Sequence, residues 1–325
     1  MGGAEMRDHG GNIDQARARF GGQDWIDLST GINRQPYPLP ELPAHVWTDL
    51  PTRAGQAALM QSARRAFGTD ALGVALAGAQ AAIQMIPRLF PAGRAKVLTP
   101  TYNEHAACLR ATGWQVEEVG QISALVGADL AIVVNPNNPD GRHHDACQLR
   151  AISQQVGCLV VDESFADAVP DLSCAAHACD RLIVLRSFGK FWGLAGLRLG
   201  FAFAGPERVT RLAEMAGPWP VSGAALEVGQ IALQDLAWHE QTCLRLDLDA
   251  QRLDALALRA GWALVGGTAL FRTYATPDAV GAQSALARAH IWSRIFPYSP
   301  HWVRLGLPGN AAEWARLDAA LERGI

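Results

Sequence analysis

Short apolar runs punctuate the middle of the chain, at residues 74–77, 96–99, 130–134, 158–162, 182–186 and 199–204. The runs at 130–134 and 158–161 are apolar throughout, without alternation, which predicts strands buried on both faces. Between several runs the apolar positions fall three and four apart, as at 104–112 and 147–156, and predict helices. Alternating strands and helices predict an α/β fold built on an open, mostly parallel sheet. Ligands in such sheets bind outside the carboxyl ends of the strands. Conspicuous polar and glycine residues fall at those ends: Gly78, Ala79 and Gln80, then Tyr102, Asn138, Asp162 and Ser187.

The pattern changes after Pro220. Residues 223–259 read as a long helical region, and 262–265, 269–274 and 302–305 as strands of a second, smaller α+β domain. The segment before Pro51 is rich in glycine and proline and reads as an arm on that domain. The expected organisation is an arm (1–50), a large domain (51–220) and a small domain (221–325).

Composition narrows the function classes. The chain has 325 residues, 49% apolar, enough for a substantial core. A net charge of −3 without a basic run argues against nucleic acid as a partner. Six scattered cysteines without a C-x-x-C pair suit reduced thiols. Residues 1–22 are charged and lack an apolar run, and the longest uncharged apolar stretch, 71–87, is broken by Gln80 and Gln84. A cytoplasmic protein without a membrane span is expected.

The chemistry centres on Lys190, in Ser187-Phe188-Gly189-Lys190-Phe191-Trp192-Gly193 directly after a predicted strand. Residues 188–197 carry no other charge, and Arg198 follows as a nearby cation. Desolvation and a second cation both lower an amine pKa from about 10.4. Such an amine holds an aldehyde as a Schiff base. Ser187 and Arg198 can hold a phosphate dianion, helped by backbone N–H groups at Gly78, Ala79 and Gln80 before the next helix. An aldehyde and a phosphate on one small molecule mean pyridoxal 5'-phosphate (PLP). Asp162, ending a strand, can pair with the protonated ring nitrogen, while Glu163 beside it reads as structural. Asn138, in Asn135-Pro136-Asn137-Asn138-Pro139-Asp140-Gly141, can donate to the ring oxygen, and Tyr102 can stack on the ring. Arg304, a charge within the apolar strand Trp302-Val303-Arg304-Leu305, is suited to a substrate carboxylate or to an internal ion pair. His143, His144, Asp145 and Cys147 lack the spacing of a metal site and read as a polar loop entering a helix, so no metal is expected.

Together these motifs, ordered from Gly78 to Arg304, resemble the fold-type I PLP-dependent aminotransferase superfamily. The resemblance implies that Lys190, Asp162, Asn138, Tyr102, Ser187 and Arg198 act as Schiff-base lysine, ring-nitrogen partner, ring-oxygen donor, stacking aromatic and phosphate ligands. The arm narrows it further. His9-Gly10-Gly11-Asn12-Ile13 followed by Asp27-Leu28-Ser29-Thr30-Gly31-Ile32-Asn33 is similar to the arm of threonine-phosphate decarboxylases of cobalamin biosynthesis. That branch implies a lyase acting on a phosphorylated amino acid, with His9, Gly11, Asn12, Ile32, Asn33 and Arg304 toward the substrate, and a homodimer. Histidinol-phosphate aminotransferases share the core motifs and give the alternative, amine transfer. A non-catalytic partner subunit of cobalamin side-chain assembly is a second alternative.

Four positions depart from relatives. Phe165 stands where many have a tyrosine near the ring oxygen, which suits decarboxylation. Leu50-Pro51 replaces an R-Y-P element, Gly189 a hydroxyl residue, and Asp140 a threonine. Fewer phosphate donors imply a looser hold on PLP, and Asp140 is expected to face away from the phosphate.

Overall fold

The computed structural model describes residues 9–323. Its strands, in chain order, are β1 (Ile26–Asp27), β2 (Leu72–Leu76), β3 (Arg94–Leu98), β4 (Gln115–Val119), β5 (Leu130–Val134), β6 (Cys158–Asp162), β7 (Leu182–Ser187), β8 (Gly200–Ala204), β9 (Ala263–Thr268), β10 (Phe271–Ala275), β11 (Ile291–Trp292), β12 (Arg294–Phe296) and β13 (Ser299–Gly306). The chain divides into two compact units: Pro36–Gln241, and the residues up to Gln35 together with those from Thr242 onward.

The unit Pro36–Gln241 is built on a seven-stranded sheet in the order β2-β8-β7-β6-β5-β3-β4. Pairs from β7 across to β4 are parallel, and β8 runs antiparallel to both neighbours. Every residue of β5, β6 and β8 is buried, because helices cover both faces of an open α/β sheet. One core cluster joins Val97, Ile132, Val160, Ile183 and Ala202 from five strands to Ile83, Ile86 and Leu109 on the covering helices. β4 escaped the apolar pattern. Its sequence, Gln-Val-Glu-Glu-Val, belongs to an edge strand with one side in water, and edges carry charge against unwanted pairing. The helical region after Pro220 is two helices, Gly223–Gln234 and Leu236–Arg259. Asp235 breaks them: its Oδ1 accepts from the Trp238 amide at 3.0 Å, starting a new helix, and its Oδ2 accepts from Tyr37 at 3.1 Å.

In the other unit a four-stranded antiparallel sheet runs β12-β13-β10-β9. β1 enters this unit as a parallel partner of β11, pairing Ile26 with Ile291. The helix Ile13–Phe20 adds Ala16 to a small core with Ala287 and Trp292. Both ends of that helix are closed locally, by the Asn12 side chain on the Gln15 amide and by Gly21 in the left-handed region.

Candidate active site

The parallel register brings the predicted residues of Pro36–Gln241 to one end of the sheet. Asp162 closes β6 and Ser187 closes β7, one strand over. Ser187 pairs with Gly200 on β8, and Gly200 pairs with Leu76 at the end of β2. The turn Gly78-Ala79 therefore sits two strands from Ser187.

Close packing makes this corner an anion cradle. Gly78 takes φ +79°, and a Cβ there would stand 2.7 Å from Arg198 Nη2. A Cβ on Gly200 would run into the Ala79 amide nitrogen. Two glycines thus let a guanidinium and the first amide of the helix Ala79–Met85 converge. Arg198 is itself in the left-handed region, φ 55°, with Nη1 donating to the Ala195 carbonyl at 3.1 Å. Gly189 is tight for another reason: a Cβ would lie 2.9 Å from Ala195 Cα, so the lysine loop has no room for a larger residue without shifting.

Lys190 is half-buried, with Nζ 5.7 Å from the centre of the Phe165 ring. The chain has only two lysines. The other, Lys96, is committed to the carbonyls of Ala124 (2.7 Å) and Val126 (3.1 Å).

Asp162 is buried and fully engaged. His105 Nε2 donates to its Oδ2 at 2.9 Å, and the Ser164 amide and hydroxyl donate to Oδ1 at 3.0 and 2.5 Å. Burial pushes its carboxyl up, but these donors and the His105 ring outweigh burial and hold it below the usual carboxylate range. A carboxylate kept ionised here is what a protonated ring nitrogen needs. His105 was invisible in the sequence, because nothing local marks a helical histidine as the partner of a strand end 57 residues on. His105→Phe is expected to cost about 1.5–3 kcal/mol at pH 7, the worth of a hydrogen bond to a charged group. A depressed carboxyl contributes above its unfolded pKa and loses that contribution as pH falls through the folded value. The gap between wild type and variant in denaturant unfolding should therefore close toward acid pH; a gap independent of pH would refute the pairing.

Tyr102 lies beyond β3, its hydroxyl donating to Gln80 Oε1 at 3.1 Å. The cofactor loop is pinned by Asn137, whose Nδ2 donates to Pro100 O (2.8 Å) and Asp140 Oδ1 (2.7 Å) and whose Oδ1 accepts from Thr101 (2.6 Å). Asp140 also accepts from the Arg142 amide at 3.0 Å, so its charge is absorbed within the loop that presents half-buried Asn138.

Behind the site, Arg186 joins two buried carboxylates. Its Nη1 reaches Glu163 Oε2 at 3.0 Å and its Nη2 reaches Asp167 Oδ1 at 2.6 Å, with the guanidinium 4.2 Å above the Phe67 ring. Glu163 also accepts from Ser173 (2.6 Å) and the Cys174 amide (2.5 Å). Arg186 precedes Ser187 and Glu163 follows Asp162, so the clamp ties the two strand ends together.

The residues predicted to face the substrate belong to the other unit. Arg304 is buried, with Nη2 donating to the Ser29 carbonyl at 2.6 Å and the guanidinium 5.0 Å from the Phe271 ring. Its cross-strand partner is Arg294, a second cation the sequence reading passed over. His9 lines a cavity of about 450 Å³ together with Arg19, Ser29, Ser293 and Arg294. The Gly11 amide donates to Ser29 Oγ at 2.8 Å. The Asn12 side chain caps its helix. Asn33 is buried, its Oδ1 accepting from Arg245 (2.9 Å) and the Gln35 amide (3.0 Å), and Ile32 beside it is half-buried.

The sequence 143–147 does enter a helix: Asp145 caps Ala146–Ser153 through the Gln148 amide at 2.7 Å, and His144 Nδ1 meets Gln148 Oε1 at 2.9 Å. Among the described residues no three His, Cys, Asp or Glu side chains are grouped to hold a metal, and no helix is long and apolar enough to cross a membrane.

A lysine amine, a carboxylate held below its usual pKa range and a glycine-cleared corner with a guanidinium and a helix amide lie near the carboxyl ends of a mostly parallel sheet, and these residue types suit the aldehyde, ring nitrogen and phosphate of PLP. The class follows: the chain belongs to the aminotransferase class I and II family, whose model matches residues 24–321. More particularly, it is 44% identical to the threonine-phosphate decarboxylase of Pseudomonas aeruginosa, over 97% of each chain. It is 43% identical to that of a Sinorhizobium species, again over 97% of each. The solved structure of Sinorhizobium meliloti histidinol-phosphate aminotransferase in complex with PLP shares the fold, with a TM-score of 0.78 at 19% identity, covering 95% of this chain and 93% of that one.

Proposed function

We propose that this protein is a PLP-dependent lyase that decarboxylates L-threonine O-3-phosphate to (R)-1-amino-2-propanol O-phosphate and CO₂, a step of cobalamin biosynthesis. The observation that carries the reading is the near-full-length likeness to two threonine-phosphate decarboxylases in a chain that supplies Lys190 and an ionised Asp162 at adjoining strand ends. When bound, PLP supplies the aldehyde that captures the substrate amine and the electron sink for the pair released at Cα. Asp162 would hold the ring nitrogen's proton in place. Arg198, Ser187 and the Gly78-Ala79-Gln80 amides would hold the cofactor phosphate, Tyr102 would stack on the ring, and Asn138 would donate to its oxygen. Arg304 would take the substrate carboxylate and so favour cleavage of the Cα–carboxylate bond. His9, with Arg19 and Arg294 around the same cavity, takes the substrate phosphate. Lys190 would carry the proton that Cα takes up once CO₂ has left. Phe165, presenting only a ring face to Lys190, adds no second hydroxyl acid at this point.

The deciding experiment incubates PLP-loaded protein with threonine phosphate and traps CO₂. Amine transfer to 2-oxoglutarate without CO₂ would favour the aminotransferase reading instead. In the same assay Arg304→Ala should raise KM by about 30-fold or more, the loss of a charge-assisted pair, with the fold retained by circular dichroism. An unchanged KM moves the carboxylate site elsewhere. The same reading makes the protein a homodimer in the cytoplasm. Exposed Leu39, Trp47, Leu50 and Trp219 on the larger unit offer apolar surface for a second copy. A fully active monomer in sedimentation would contradict it.

A further inference from the structure

Gln80 was read from sequence as part of the phosphate turn, yet its side chain does something else. Its Nε2 donates to Glu104 Oε2 at 3.1 Å, and its Oε1 accepts from the Tyr102 hydroxyl at 3.1 Å. Glu104 is buried at the start of the helix Glu104–Ala111. The direction of this relay follows from the chemistry of its end. A carboxylate only accepts, so the amide must turn its NH₂ toward Glu104; the carbonyl oxygen is left for Tyr102, and the phenol must donate. At its other side the Tyr102 ring meets His105 edge-on, 6.2 Å between centroids at 86°. His105 is the donor that holds Asp162. The aromatic ring and the carboxylate assigned to two parts of the cofactor thus belong to one network running from α/β turn to strand end.

We propose that Gln80 and Glu104 are positioning residues. They lock the plane of the Tyr102 ring, and through it the hold on the cofactor ring, without touching the cofactor by their side chains. The proposal rests on the PLP reading of the site. A chain that merely needed Gln80 for packing would tolerate an apolar residue of similar size, and its effects would be independent of the Tyr102 hydroxyl.

The test combines PLP affinity, read by visible absorbance, with fluorine NMR of protein labelled with 3-fluorotyrosine. The chain has only four tyrosines, so Tyr102→Phe assigns the Tyr102 resonance. Gln80→Leu should weaken PLP binding about tenfold, one hydrogen bond's worth. It should also shift or broaden the Tyr102 resonance in protein free of cofactor. Gln80→Leu added to Tyr102→Phe should change affinity less than about twofold further, since the two remove the same contact. Gln80→Glu sets two acceptors face to face and should weaken binding at least as much. Gln80→Glu with Glu104→Gln restores one donor and one acceptor and should return affinity to within about threefold of wild type. An unmoved Tyr102 resonance in Gln80→Leu, or multiplicative losses in the double variant, overturns the proposal. Because the fluorine signal is read without cofactor, a wild type that fails to bind PLP would sink the site reading while leaving this relay separately decided.

Discussion

Lys190→Ala is expected to abolish covalent capture of PLP and to lower turnover with threonine phosphate by at least about 10³-fold, the combined scale of losing the nucleophilic amine and the proton carrier. The two-lysine composition makes this unusually clean to read. Borohydride reduction of the PLP-loaded wild type should fix one pyridoxyl group, and mass spectrometry of the peptides should place it on Lys190. Lys96 is not a competitor, because its ammonium is spent on two carbonyls and lies 3.9 Å from Glu117. The variant should take up no label and show no visible band with added cofactor. Label on Lys96, or normal turnover in Lys190→Ala, would remove the central assignment.

Arg186→Met is expected to be the most damaging substitution for the fold. It leaves Glu163 and Asp167 buried without their cation, a loss of about 3–5 kcal/mol when one partner of a buried ion pair is removed. Burial already pushes both carboxyls above their usual range despite the attraction of Arg186. A carboxyl with a raised folded pKa keeps its full stability below the unfolded pKa and loses it as pH rises toward the folded value. The variant's deficit should therefore be larger at pH 7 than near pH 4, the same direction as for His105→Phe, because in both the penalty needs an ionised carboxylate. Arg186→Lys should rescue only in part, because one ammonium cannot span both carboxylates as the planar fork does. Denaturant midpoints at the two pH values decide it; a deficit that shrinks as pH rises would show that the clamp is not what the substitution removed. Loss of the clamp also frees the ends of β6 and β7, so PLP affinity should fall even where the variant remains folded.

Much of this site was legible along the chain because it sits where a periodic pattern stops. Asp162 and Ser187 terminate apolar strands, Gly78 opens a helix, and Lys190 lies in a stretch nearly free of charge; each is a local break in a regular signal. Strand β4 was not legible, since an edge strand with three charged or amide residues in five carries little apolar periodicity. Nor was the split at Asp235, where a long helical pattern hides a cap that only its hydrogen bonds reveal.

By itself the sequence determined the α/β class and the carboxyl-end location of the polar residues and singled out Lys190 as the candidate amine, because those follow from burial periodicity and from which side chains can do the chemistry. Tertiary structure alone decided the partners. That His105 holds Asp162, that Arg186 bridges Glu163 and Asp167, that Gly200 clears the Ala79 amide and that the Gln80 side chain meets Tyr102 all depend on strand register and on groups meeting across 19 to 121 positions of chain. Such pairings carry no local signal, because they are set by which strand lies beside which once the sheet has formed.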